Sequence, residues 1–335
     1  MKRRVVVTGI GIITPFGIGK DVNLKKLRDG VDCSSVVTSF DSSKYSGKTG
    51  CEAKDFQHAD PLKHLRKERL DRASHLLIHA VREAFSDAGL EDSISKEQVY
   101  VSVGTTLGGM ISGERYHREI IEKGMKKAKL SHMLDYLAQY QPANLFREFG
   151  LKGWFNVFSD ACASGTSAIG SAFSSIRRGE VDLSIAAGYD TMSEFTFAGF
   201  NSLMAVTPAL CRPFDKKRDG LILGEGAGVV ILEDRERAER RGADIIAAVT
   251  GYGESADAYH LTSPDPKGSG AAVAMAGALK DAGISPADVD YINAHGTGTV
   301  YNDVMEARAI KKVFGDCSGK VPVSSTKPMT GHMLG

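Results

Sequence analysis

Three short stretches carry residue types and spacings suited to nucleophilic chemistry. Asp160-Ala161-Cys162-Ala163-Ser164-Gly165 sets a cysteine among small residues, where an apolar strand pattern gives way to a helical one. Small neighbours let the backbone turn sharply and leave the sulfur accessible. A helix start behind the sulfur favours thiolate, and its N–H groups can hold an oxyanion. Ile292-Asn293-Ala294-His295-Gly296-Thr297-Gly298-Thr299 places a histidine at a strand end, the usual ligand side of an open α/β sheet. Ser324-Ser325-Thr326-Lys327-Pro328-Met329-Thr330-Gly331-His332 places a lysine and a histidine at another strand end. Singly, each has a plainer alternative: a buried structural cysteine, a hydrogen-bonded loop histidine, a polar loop capping a helix. Jointly they form a Cys162-His295-His332 constellation with Lys327 beside it.

The elements that must position these residues alternate along the chain. Val5–Thr8 is a β-branched run, and Gln98–Val103, Trp154–Ser159 and Asp182–Ala187 read as strands. Leu70–Ala88 has helical spacing and ends at Gly89, and Ser164–Arg178 reads as a helix. Leu221–Leu232 reads as two short strands around Gly224-Glu225-Gly226. The pattern is α/β.

The second part of the chain replays the first. Val7-Thr8-Gly9-Ile10-Gly11 returns as Val249-Thr250-Gly251-Tyr252-Gly253. Ala84-Phe85-Ser86-Asp87-Ala88-Gly89-Leu90 returns as Ala278-Leu279-Lys280-Asp281-Ala282-Gly283-Ile284. The strand into Gly104-Thr105 is answered by the strand into His295-Gly296-Thr297, and the strand before Cys162 by Val321–Ser325 before Lys327. The division expected is residues 1–246 with insertions and residues 247–335. The first copy continues past Cys162 to about Glu233, whereas the sequence stops at Gly335, soon after Lys327. The expectation is a second half cut short, completed by absent residues or by another chain.

Composition narrows the class. The 335 residues carry 42 Lys+Arg against 41 Asp+Glu, too even for a general nucleic-acid binder. Hydrophobic residues at 42% and charged ones at 25% belong to an ordinary globular protein. No apolar run is long enough for a membrane helix, and the N-terminus reads as a strand rather than a signal peptide. Cys33, Cys51, Cys162, Cys211 and Cys317 are scattered and odd in number, which points to a reducing cytoplasm. Without a CxxC no metal is expected. His75 and His79 stand one helical turn apart but lack a third ligand, so they are expected as a helix-face pair, and Cys211 as structural. The glycine-rich stretches 104–109 and 224–228 fit no nucleotide motif. Lys63, Arg66, Lys67 and Arg69 form a basic cluster, a solvated face or a dock for an acidic partner.

Asp160–Gly165, His295–Thr299 and Lys327–Gly335 together resemble the active-site motifs of the β-ketoacyl-acyl-carrier-protein synthases of types I and II. So do Arg212-Pro213-Phe214-Asp215, the stretch from Arg218-Asp219-Gly220 to Gly224-Glu225-Gly226-Ala227-Gly228, and Asp257–Pro264. The likeness runs from Val5 to Gly335. It implies a thiolase-like duplicated α-β-α-β-α layered fold. It implies that Cys162 carries an acyl thioester, and that His295 and His332 promote decarboxylation of malonyl-carrier and stabilise the enolate. Lys327 resembles the family's active-site lysine and Glu306 its acidic partner. Thr297 and Thr299 resemble the hydroxyls that bind phosphopantetheine, and Leu107 an acyl-pocket residue. The implied partners are acyl carrier protein and a second copy of the chain, with no cofactor beyond the carrier's phosphopantetheine, no nucleic acid and no membrane.

The histidine pair sets this pattern apart from the initiating type III enzymes, which resemble Cys-His-Asn, and from degradative thiolases with a second cysteine. The family continues beyond its Gly-His motif into a helix, strands and a Gly-Phe-Gly-Gly turn that this sequence does not contain. Without them, the 335 residues alone are expected to be inactive or poorly folded. Fatty-acid elongation is the first expectation. A ketosynthase of a dissociated polyketide system, a non-catalytic truncated partner and a Cys-His hydrolase stand as alternatives.

Overall fold

The computed structural model describes residues 3–54, 62–66, 68, 70–260 and 262–335. A seven-stranded mixed sheet forms its centre. Its main strands are β1 (Val5–Thr14), β2 (Gln98–Gly104), β3 (Lys152–Phe158), β4 (Leu183–Asp190), β5 (Gly226–Asp234) and β6 (Ala247–Val249). They run in the order β6-β1-β5-β4-β2-β3, and the short strand Gly17–Ile18 pairs on the end of β1. β2 is parallel to β3 and β4; β5 runs antiparallel to β1 and β4. A second, parallel sheet holds, among the described residues, β7 (Ile292–Asn293) and β8 (Val323–Ser324). Ser35–Val36, Thr49–Cys51 and Leu223–Gly224 make a third, small sheet.

Two helices sandwich the large sheet. Helix α1 (Arg72–Ala88) covers one face and α2 (Ser164–Arg178) the other. Strand periodicity sorts the core between them. Val99, Val101 and Val103 of β2 join the layer under α1, while Tyr100 joins the layer under α2 with Phe173 and Ile176. The Asp71 side chain accepts from Ser74 N and caps α1, whose C-terminus closes at Gly89 with φ 64. The second half adds α3 (Ser269–Ala282) and α4 (Val300–Phe314), packed on each other. Arg177 of α2 makes a two-bond ion pair with Asp281 of α3 at 2.8 Å, joining the halves.

β1 runs past the glycines that interrupt its apolar run. Gly9 and Gly11 mark close approach to a helix: a Cβ at Gly11 would lie 1.8 Å from Ala80 O, and one at Gly9 2.4 Å from Ala84 O. The repeat keeps this contact. A Cβ at Gly253 would lie 2.1 Å from Ala274 O, and one at Gly251 2.4 Å from Ala278 O. Asp87 accepts from Ile10 N at 2.9 Å, and its counterpart Asp281 from Tyr252 N at 3.1 Å. The two first strands also pair antiparallel, Val6 opposite Ala248. Among the described residues, no helix is long and apolar enough to cross a membrane.

Candidate active site

Cys162 lies in the single tight turn Ala161–Ala163 that joins β3 to α2. Ala161 takes φ 57 there, a conformation costly for a residue with a Cβ, and so turns the next side chain out of the helix path. Gly104 makes room for the helix start, since a Cβ on it would lie 2.2 Å from Ser164 O. His295 leaves the end of β7, and Lys327 and His332 follow β8. The three strand ends converge. Cys162 Sγ, His295 and His332 have donor atoms that all lie within 4.8 Å of one another. Cys162 Sγ is 3.1 Å from His332 Nε2, and the imidazole rings meet edge to face with centroids 5.3 Å apart.

Leu334 N–H donates to His332 Nδ1 at 3.0 Å. The neutral ring therefore carries its proton on Nε2, which donates toward the sulfur. Leu334 holds this position at φ 52. The same tautomer leaves Nε2 without a free lone pair, so a metal ion would have to break the Leu334 bond, although the three donors have metal-like spacing. Burial pushes His295 down to about 4 and His332 well below its ordinary value, with Lys327 acting in the same direction. Both rings are neutral N–H donors at neutral pH. Burial pushes the Cys162 thiol up while Lys327 pulls it down, so enclosure opposes the thiolate that the helix start favours.

Backbone clamps hold the histidine loop. Glu306 Oε1 accepts His295 N at 2.6 Å and Oε2 accepts Gly296 N at 2.8 Å. Lys327 Nζ donates to His295 O at 2.5 Å, so Glu306 and Lys327 meet through the His295 backbone as well as by charge attraction. Asp303, one turn earlier on α4, accepts Phe214 N at 2.7 Å and Gly298 N at 3.2 Å. Sequence reasoning passed over Asp303; its place on the helix face that carries Glu306 was the available signal. The Arg212–Gly220 motif braces the same loop. Arg218 donates to Thr299 O and Val300 O, and Gly220 N to Gly298 O. Cys211 is buried, pushed up to about 11 by desolvation, and its Sγ lies 3.3 Å from Thr297 O.

A cavity of about 420 Å³ reaches Cys162, His295 and His332 past Thr297 and Thr299, whose hydroxyls are 2.9 Å apart. Thr262, Ser263 and Pro264 line it too, and Leu261 lies outside the described residues. Leu107 packs with Phe197, Leu221 and Leu334, and lines none of the described cavities that reach Cys162. Lys63 and Arg66 are exposed, and the Lys63–Leu65 backbone is held by Glu148; Lys67 and Arg69 lie outside the described residues. His75 and His79 stack on α1 with centroids 6.4 Å apart. The glycines of 224–228 admit the segment that carries His332: a Cβ at Gly224 would lie 2.5 Å from Thr330 O.

A cysteine at a strand-to-helix turn, facing two neutral histidines from a repeated half, defines a condensing acyltransferase of the thiolase type. Residues 2–238 match the N-terminal domain of the beta-ketoacyl synthases and residues 246–335 their C-terminal domain, and the chain belongs to that family. It is 37% identical over 340 residues to a 3-oxoacyl-[acyl-carrier-protein] synthase 2 of Staphylococcus aureus, covering 99% of this chain and 82% of the relative. It is 39% identical over 342 residues to the protein of that name from a Synechocystis species, covering 100% and 82%. The solved structure titled the ishigamide ketosynthase/chain length factor superposes with TM-score 0.95 at 36% identity, covering 100% of this chain and 83% of that one.

Proposed function

We propose that the protein is a 3-oxoacyl-[acyl-carrier-protein] synthase that elongates acyl chains. Cys162 takes an acyl group from the carrier's phosphopantetheine as a thioester, releasing the carrier thiol. Malonyl-carrier then enters past Thr297 and Thr299, and its thioester oxygen meets the N–H donors of His295 and His332. Loss of carbon dioxide leaves an enolate stabilised by those donors. Its carbon attacks the Cys162 thioester, the new carbon–carbon bond forms, and the Cys162 sulfur leaves. Lys327 and Glu306 hold the His295 backbone. Substrates arrive on the carrier, so the reading needs no bound cofactor or metal.

The carrying observation is Cys162 Sγ at 3.1 Å from His332 Nε2, with the His295 and His332 imidazoles both held neutral by burial. The two named relatives favour fatty-acid elongation. A ketosynthase of a dissociated polyketide system is the second reading, favoured by the superposition of TM-score 0.95. A homodimer fits β3, an edge strand with Trp154 exposed; a chain-length-factor partner is the alternative under the second reading. The exposed Lys63 and Arg66 suit an acidic carrier, and five unpaired cysteines suit the cytoplasm.

Intact-mass spectrometry after incubation with acyl-carrier tests the reading. A gain of one acyl group, absent in Cys162→Ala, is expected, followed by condensation with malonyl-carrier. Release of free acid without a new carbon–carbon bond would instead support a hydrolase, and acylation without turnover a non-catalytic partner.

A further inference from the structure

We infer that Asp190 is the positioning residue that sets the Cys162 turn, the Leu107 loop and His332 relative to one another, an inference that rests on the condensing-enzyme reading. Asp190 ends β4 and is wholly buried. Its Oδ1 accepts from Thr105 Oγ1 at 2.8 Å and from Leu107 N at 3.0 Å. Its Oδ2 accepts from Thr106 N at 2.9 Å and from Gly335 N at 2.7 Å. These donors lead to the reacting groups by separate routes. Thr106 Oγ1 donates to the carbonyl of Ala161, the strained residue before Cys162, at 3.2 Å. Gly335 follows Leu334, whose N–H fixes the His332 tautomer. The Gly335 carbonyl lies where only glycines fit, since a Cβ at Gly165 or Gly188 would come within 2.5 Å of it.

Four donors aimed at two oxygens call for an anion, because a protonated carboxyl would turn one acceptor into a donor facing donors. Burial pushes the Asp190 carboxyl up, and the four donors offset that rise only in part. Its charge also disfavours thiolate at Cys162. Asp190→Asn keeps the shape, removes the charge, and puts amide hydrogens where N–H groups already point. Thr105→Val removes the hydroxyl donor and disturbs only the Leu107 side.

The test compares these variants with the wild-type protein. In Asp190→Asn, kcat for malonyl-carrier decarboxylation is expected to fall about tenfold with KM little changed, a loss in orientation rather than binding. The pH midpoint for iodoacetamide alkylation of Cys162 is expected to move down. Thr105→Val, which takes one donor from Asp190 and leaves its charge, is expected to leave that midpoint in place and to lower kcat by a smaller factor than Asp190→Asn. Wild-type kcat and midpoint in Asp190→Asn would overturn the inference, as would losses that merely track the folded fraction. If Asp190→Asn fails to fold, Thr105→Val decides, and a wild-type kcat in that variant overturns it. Alkylation needs no carrier, so it still reads Asp190 if the wild type proves unable to condense.

Discussion

The loop after β2 and the loop after β7 occupy matching places in the two copies of the repeat, and buried carboxylates clamp both. In the first copy Asp190 of β4 accepts Thr106 N and Leu107 N. In the second, Glu306 of α4 accepts His295 N and Gly296 N, and Asp303 accepts Gly298 N. A strand end at a packed site leaves consecutive N–H groups pointing one way, and an anion there satisfies them together. The first loop delivers a leucine to an apolar cluster and the second a histidine to the sulfur. One scaffold problem is solved twice, and the chemistry sits in the side chain each clamp carries.

Breaking the second loop should cost most. His295→Ala removes one of two N–H donors, and malonyl-carrier decarboxylation should fall by roughly 10²–10³-fold while Cys162 still accepts an acyl group. Separate assays of carbon dioxide release and of acyl-enzyme mass check this; equal loss of both would mean that His295 serves the nucleophile. Glu306→Gln keeps the side chain's size but offers one acceptor where two N–H groups converge. Condensation should drop about tenfold, the cost of a buried donor left unpaired. An unchanged kcat would show that Lys327 holds the loop alone.

The helix–strand contact compares the copies at the level of stability. Gly11→Ala drives a methyl into Ala80 O beneath a helix packed against the large sheet, so about 3 kcal/mol should be lost. Gly253→Ala drives one into Ala274 O, but α3 has more room to shift, with Ala272 its buried residue and Val273 60% exposed. About 1 kcal/mol is expected there by the same overpacking argument. Denaturant midpoints of the two variants measure the contrast, and equal losses would mean that α3 is held as firmly as α1.

Much of this was legible in residue order. The Gly9-Ile10-Gly11 and Gly251-Tyr252-Gly253 strings are legible as a repeat, and the close contact each makes with one helix follows from the missing Cβ. Ser164–Arg178 emerged with its expected bounds because an apolar face and terminal glycine mark it locally. Val5–Thr8 falls short of β1, which continues to Thr14, because glycine usually weakens a strand interior, whereas Gly9 and Gly11 here mark close approach to a helix. Strand length in the second copy was not legible. β7 and β8 repeat the pattern of β2 and β3, yet each has two residues, and among the described residues each pairs with the other alone. Asp190 is not legible in the sequence because its donors come from two places, residues 105–107 and Gly335, both far from it in the chain, and no spacing rule joins them.

Charge state separates the two loops as well. His295 titrates at about 4 in the fold against 6.5 when solvated, whereas Leu107 cannot titrate. The unfolded chain therefore binds the extra proton first as pH falls, and the His295 contribution to stability declines from about pH 6.5 toward 4, then levels off. The decline should be on the order of 1–2 kcal/mol, since His295 keeps some contact with solvent that screens the shift. Decarboxylation needs both rings neutral, so its acid limb should lie near pH 4 rather than near 6.5. Unfolding curves of wild type and His295→Gln across this range isolate the residue, because the glutamine variant lacks the titration but keeps a donor. A slope unchanged by the substitution would place the titrating group elsewhere. A shallower slope in the variant would tie the neutrality of the second loop to its burial between Cys162 and Lys327.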